Sequence, residues 1–248
     1  MGLRLASLQL GSSLFGSAWA LARQWSLEIK PWAELAERRE LQNASLAIVG
    51  NAGYLAELSQ GAQIDACDLV LRMNNFRCTG FEQQVGARTD IFLSSFYTDV
   101  NFQNPALAEV KMLIASVPNN IRRDRPHGVL NRHGVQIASG LDQLRRKEVY
   151  VPGWDYFLQQ KEAIGKYPTS GAMAIFLATS ILSNVCRSIY LTGFSFFRGP
   201  SHYFSDKTIV PRNHDPEREE QLIRAVLAPH VAAGRISLDV RMKAHLGL

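Results

Sequence analysis

Long apolar runs, paired cysteines, acidic metal motifs and basic tracts are all missing from this 248-residue chain. Each absence removes a class of protein. The three cysteines, Cys67, Cys78 and Cys186, form no C-x-x-C pair, which excludes a sequence-evident zinc site and a disulfide framework and favours a reducing compartment. No stretch reaches the roughly 18 consecutive apolar residues of a membrane-spanning helix. The apolar-tinted opening, "MGLRLASLQLGSSLFGSAWALARQWS", is broken by Gly, Ser and Gln; it reads as a packing helix ahead of a weak signal peptide or a membrane-touching helix. There is no Gly-x-Gly-x-x-Gly fingerprint, which disfavours a nicotinamide-dependent oxidoreductase, and no Asp-x-Asp motif. Low-complexity tracts and repeats are absent too, and an apolar fraction of 46% predicts one folded domain.

What is present is an excess of positive charge, +5 with a pI near 9.2, which favours acidic partners. The basic residues are dispersed. The nearest approach to a patch, Arg122, Arg123 and Arg125, is interrupted by Asp124, so no nucleic-acid partner is expected. Short β-rich runs alternate with helical patterns: "LAIVG" (46–50), "LVLRM" (69–73), "DIFLS" (90–94), "KMLIASV" (111–117), "EVYVP" (148–152), "SIYLTG" (188–193) and "RISLDV" (235–240). Segments 53–61, 139–147, 170–183 and 216–230 read as helices. This alternation predicts an α/β fold, a single domain with about seven strands in a mostly parallel sheet flanked by helices. Residues 1–40 are expected to form an N-terminal helical segment and 41–248 the α/β domain, with 96–135 forming long loops outside its one strand.

In such a sheet ligands bind at the carboxyl ends of strands. Three junctions have suitable chemistry. Gly50-Asn51-Ala52-Gly53 ends the first run, where two glycines would let the backbone approach a ligand or simply make a turn. Arg72, Asn74 and Asn75 close the second, again as a site or as a turn. In "YPTSGAMAIFLATSIL", Thr169 or Ser170 caps a nearly all-apolar helix whose small Gly171 and Ala172 leave its first amides open to an anion. A well-capped buried helix has the same pattern.

Two histidines stand out further on. In "NHDPEREEQLIRAVL", Asp215 reads as an N-cap and Pro216 as the first helical residue, so His214 lies just outside a positive helix end that favours the neutral ring a general base requires. Glu219, more than one turn on, is placed either to orient a group near the helix start or to be solvated. His202, before Tyr203 and Phe204, falls on a loop, where an inert role competes with a catalytic one.

Taken together these segments resemble the sialyltransferases, family 29 of the glycosyltransferases. The long motif of that family is similar to "IVGNAGYLAELSQGAQIDACDLVLRMNNFRCTGFEQQVGARTD", and its short motif to "PTSGAMAIFLATSILSNVCRSIYLTGF". The third, His-Tyr-aromatic, is met by "HYF", and the last, His then four residues then Glu, by "HDPERE"; the four follow in order over residues 46–219. The resemblance implies a Rossmann-like variant of the nucleotide-sugar transferase (GT-A) fold and metal-independent, inverting transfer from a CMP donor, with no cofactor. It implies that Asn51, Asn74, Thr169, Ser170, Gly171, Gly193 and Phe194 bind the CMP moiety. His214 would be the general base, His202 would bond the departing phosphate, and Glu219 would support the surroundings of His214. The implied partners are a CMP-activated acidic sugar, sialic acid or a Kdo-like sugar, and a glycan or glycolipid acceptor.

The departures from the family pattern matter as well. Animal relatives pair a cysteine opening the long motif with one in the short motif; here Cys186 matches the second position and Leu46 stands at the first. Ser205 and Asp206 follow "HYF" where the family usually continues with Glu, Asp, Gln or His, which motivates a second reading, a catalytically inactive CMP- or glycan-binding protein. With no clean signal anchor, a bacterial-type cytoplasmic relative is expected, open to peripheral contact with the inner face of a membrane. Arg122, Arg123 or Arg125 would meet a donor carboxylate or an anionic glycolipid, or remain solvated.

Overall fold

Strands buried on both faces are mostly apolar, and the central strands of this chain are, with the buried Arg72 of β3 an exception that donates to the Arg88 and Val85 carbonyls. The structure, a computed structural model, describes residues 28–97, 99–118, 132–146, 148–208 and 212–248. The N-terminal stretch 1–25 and Arg122, Arg123 and Arg125 therefore lie outside the described residues. Among the described residues eight strands form one sheet: β1 (Glu28–Pro31), β2 (Ser45–Val49), β3 (Leu69–Met73), β4 (Ile91–Ser94), β5 (Met112–Ala115), β6 (Glu148–Val151), β7 (Ser188–Thr192) and β8 (Ile236–Leu238). Their order is β1-β6-β5-β4-β3-β2-β7-β8, and every pairing is parallel. All seven expected strands are there. The eighth, β1, is short and polar, and it is held at the sheet edge by an ion pair from Lys30 to Glu148 of β6.

Alternate residues of each strand face opposite layers. Leu46, Ile48, Leu71, Ile91 and Ile189 pack on one side, with Met173, Phe176 and Leu177 of the apolar helix and with Ile223 and Leu227. Ala47, Val49, Val70 and Tyr190 pack on the other, against Leu55, Ile64 and Val85, while Phe92, Leu113 and Val149 meet Phe102, Ile137 and Leu141. The helices are α1 (Gly61–Asp65), α2 (Glu82–Val85), α3 (Arg132–Gln143), α4 (Trp154–Ile164), α5 (Ser170–Leu177), α6 (Pro216–Ala232) and α7 (Val240–Leu246). Helix α5 runs on through a π-helical turn, Ala178–Leu182. It carries no polar stripe because residues 172–178 are all buried.

Three expectations change. Residues 28–37 are not part of a helical appendage: β1 joins the sheet, and the 3-10 turn Trp32–Glu37 buries Trp32 and Leu35, with the Trp32 indole donating to the Ala115 carbonyl. Segment 53–61 is a 3-10 turn, Gly53–Glu57, rather than an α-helix, and the expected helix at 139–147 begins earlier, as α3. None of the described helices is long and apolar enough to cross a membrane.

The order of strands reverses direction between β2 and β7, so the loops leaving them diverge at a switch point and open a crevice. The two loops touch. The Gly50 N–H donates to the Thr192 carbonyl at 2.7 Å and Ala52 N–H to the Gly193 carbonyl at 3.0 Å. A Cβ on Gly50 would stand 2.1 Å from the Gly193 carbonyl oxygen, backbone against backbone. Gly50→Ala is therefore expected to cost about 1 to 3 kcal/mol of stability. Gly153→Ala, with nothing within 4 Å of its Cβ, should stay within about 1 kcal/mol of the parent in urea melts.

Candidate active site

A cavity of about 420 Å³ opens over the carboxyl ends of the central strands, and the ten residues to which the resemblance assigns CMP binding or catalysis all line it. Its walls come from the loops after β2, β3 and β7, the start of α5, and the loops carrying His202 and His214.

The loop after β2 is held from below. Gly53 N–H donates to the Pro200 carbonyl at 2.9 Å, and a Cβ there would meet Pro200 at 2.6 Å. Of the two readings the sequence left open for these glycines, close approach to a ligand or a turn, the structure shows close approach to other loops of the protein. Asn51 between them supplies the chemistry: its Nδ2 donates to the Met73 carbonyl at 3.1 Å, and its Oδ1 is buried without a partner. An acceptor left unsatisfied beside a cavity gains from a ligand hydroxyl or amine. Asn74 adopts a left-handed conformation (φ 46°), which asparagine tolerates, and its Oδ1 accepts from the Ser95 N–H at 2.9 Å. Its Nδ2 is not engaged in that bond. Asn75, by contrast, ties down a loop, donating to the Asp99 carbonyl and accepting from Asn101 N–H.

Helix α5 starts at the cavity. Thr169 is its N-cap, its Oγ1 accepting from Ala172 N–H at 2.9 Å, and the Ser170 hydroxyl lies 2.9 Å from that of Ser116. The first-turn amides of Ser170 and Gly171 have no intrahelical acceptor and carry the positive end of the helix. Across the cavity Gly193 (φ 84°) and Phe194 turn away from β7. Both their amides donate to the Tyr54 hydroxyl, at 3.0 and 3.1 Å, and that hydroxyl donates to Asp239 Oδ2 at 2.8 Å. Burial, with the Asp239 charge beside it, pushes the Tyr54 pKa up, so the phenol keeps its proton.

His202 is half-buried, and burial lowers its pKa from the ordinary 6.5, which leaves the ring neutral at pH 7. Its neighbour Tyr203 anchors the loop: the Tyr203 N–H donates to the Asn51 carbonyl at 3.1 Å, and the hydroxyl accepts from Arg77 N–H at 2.9 Å. His214 lies where the sequence places it, one residue before the N-cap Asp215 and two before Pro216. Its Nδ1 is 2.7 Å from the Tyr167 carbonyl, and Phe197 stacks on the ring with centroids 6.2 Å apart. A carbonyl only accepts, so Nδ1 carries a proton, and in the neutral ring the lone pair is on Nε2.

Glu219 does not touch His214. Its carboxylate accepts from the Thr169 N–H (2.9 Å) and hydroxyl (2.6 Å), and only 3% of the residue is exposed. It fixes the cap of α5, and it supports His214 only through the shared segment 167–169. Tyr54, Asp239, Ser95, Ser116 and Tyr167 were not singled out in the sequence. Their partners lie far off in the chain, 185 residues for Tyr54 and Asp239, and no local pattern marks them.

The fold and cavity define a doubly wound α/β protein with a cavity at the switch point. It is similar to the crystal structure of a mammalian sialyltransferase, with a TM-score of 0.50 and 22% identity over 79% of this chain and 68% of that one. The family model described as glycosyltransferase family 29 (sialyltransferase) matches residues 22–117. A type 2 lactosamine alpha-2,3-sialyltransferase of Mus musculus is 26% identical over 65% of this chain and 54% of its own length. A CMP-N-acetylneuraminate-beta-galactosamide-alpha-2,3-sialyltransferase 1 of Sus scrofa is 27% identical over 64% and 46%. The chain is thus similar to the sialyltransferases of glycosyltransferase family 29, whose family model matches less than half of it. It spans about half the length of the curated relatives it matches. The cysteine pair read from the resemblance is absent: Cys186 is free, and Leu46 is a buried β2 residue between Leu69 and Ile189.

Burial, with Asp215 nearby, pushes the Glu219 pKa up to about 7 against the two bonds from Thr169. The folded state therefore holds this proton where the unfolded chain, with an ordinary value of 4.5, has released it. The contribution is fully present below pH 4.5 and is lost as pH rises through 7. Between pH 4.5 and 8 the parent should lose about 3 kcal/mol more stability than Glu219→Gln, read from urea melts at each pH.

Proposed function

We propose that this protein is an inverting, metal-independent glycosyltransferase that moves a 2-keto acid sugar, sialic acid or a Kdo-like sugar, from CMP to a hydroxyl of a glycan or glycolipid. The observation that carries the reading is the bond from His214 Nδ1–H to the Tyr167 carbonyl in a histidine that lines the cavity, a bond that in the neutral ring makes Nε2 the basic nitrogen. Support also comes from the relatives, one of which is named for a CMP-N-acetylneuraminate donor and a beta-galactosamide acceptor.

In this reading the acceptor hydroxyl gives its proton to His214 Nε2 as its oxygen forms a bond to the anomeric carbon. The bond from that carbon to the CMP phosphate breaks on the opposite face, and its electron pair leaves with CMP, so configuration inverts. The Tyr167 carbonyl stays bonded to Nδ1–H and stabilises the imidazolium as it develops. The departing phosphate gains negative charge. Amides of Ser170 and Gly171 at the start of α5, the Asn74 side-chain amide and an N–H of His202 offset that charge. Asn51 Oδ1, lacking a protein donor, takes a hydroxyl of the ribose.

The test is product formation from CMP-sialic acid or CMP-Kdo with a panel of glycan acceptors, set beside thermal shifts with CMP, UMP and GDP. CMP-selective stabilisation with turnover is the expected result. His214→Ala should lower transfer by about 10²- to 10⁴-fold and leave CMP affinity unchanged. Transfer that survives this substitution overturns the assignment of the base. CMP binding without turnover of any donor and acceptor pair replaces the enzyme reading with that of an inactive CMP- or glycan-binding protein.

A further inference from the structure

Helix α4 begins after Gly153 and places Trp154, Phe157, Leu158 and Lys161 at the i, i+3, i+4 and i+7 positions of one face. Phe157 is buried, but Trp154 is 42% and Leu158 38% exposed, so the face is an apolar ledge that no part of the described chain covers. The rings are in series. Trp154 stacks on Phe157, with centroids 6.1 Å apart and planes at 19°, and Phe157 lies 6.4 Å from Tyr167, which is 50% exposed. Phe157 and Tyr167 also line the cavity, so the ledge is continuous with it and runs outward from its rim. Lys161 Nζ sits 4.4 Å from the Tyr167 ring centroid, a cation-π contact that steadies the ring.

Tyr167 links the ledge to the base: its carbonyl holds His214 and its ring forms the inner step of the ledge. A molecule with a hydroxyl at His214 Nε2 therefore extends over aromatic faces. We infer that Trp154 and Tyr167 form an outer acceptor subsite that stacks on the apolar C–H face of a pyranose ring, so that a disaccharide is held better than a single sugar. This rests on the transfer reading above. An anionic membrane is the poorer fit, because α4 carries Asp155 and Glu162 against the single Lys161.

The test measures N-acetyllactosamine binding by ligand-observed saturation-transfer NMR in the presence of CMP, beside methyl β-galactoside, using the parent chain, Trp154→Ala and Trp154→Phe. Trp154→Ala is expected to weaken the disaccharide about fivefold to tenfold. It should leave the monosaccharide and the CMP thermal shift unchanged, and Trp154→Phe should restore most of the loss. In a transfer assay the same loss appears in the acceptor KM and not in the donor KM. Equal disaccharide affinity in the parent and Trp154→Ala overturns the proposal. So does Trp154-dependent co-sedimentation with phosphatidylglycerol vesicles without an effect on the glycan. If CMP does not bind, the transfer reading falls, while a Trp154-dependent disaccharide signal leaves the ledge standing as a glycan site.

Discussion

The two hydrogen bonds from Thr169 to the buried Glu219 carboxylate join the halves of the site. Glu219 belongs to α6, and Thr169 begins α5, so the pair locks two helices that the chain reaches 50 residues apart. His214, just ahead of α6, grips the same short segment through the Tyr167 carbonyl, and the Tyr167 amide in turn donates to the Asn213 carbonyl. Three consecutive residues, Tyr167, Pro168 and Thr169, are thereby clasped at both ends. The amides of α5 and the free nitrogen of His214 owe their relative placement to this clasp. Burying the carboxylate is expensive, and the hydrogen bonds from Thr169 offset only part of that cost, as its upward-shifted pKa records.

Strand positions were legible because strands covered on both faces read as unbroken apolar runs, and β1 was not because its four residues carry Glu, Lys and Pro. Helix caps were legible for the same local reason, Asp215 with Pro216 and Thr169 before small residues. The cavity-lining set came from joining four motifs, each ambiguous alone. Physical roles within that set were less legible. The glycines of "GNAG" are open in the sequence to either a ligand or a turn, and in the structure they make room for Gly193 and Pro200. Tyr54 and Asp239, which hold Gly193 and Phe194, are separated by 185 residues, and only the sheet order brings β8 beside β7 to join them.

Polar groups around the cavity divide into those already satisfied and those held ready. Asn75, Tyr203, Tyr54 and Asp239 spend their capacity on loops. Asn51 Oδ1, the first amides of α5 and His214 Nε2 are left for something else. Their fixed orientation means little reorganisation on binding, since each is held by a neighbour of the first kind.

The contact between Gly50 and the Gly193 carbonyl ties together the histories of two distant stretches of sequence. A side chain gained at position 50 has no space until the loop after β7 retreats, and a retreat of that loop first breaks the amide bonds to Tyr54. Neither loop is free to drift alone. Variation among descendants of this chain is thus channelled to the outer rim, where α4 can change its exposed face without disturbing the strand ends beneath.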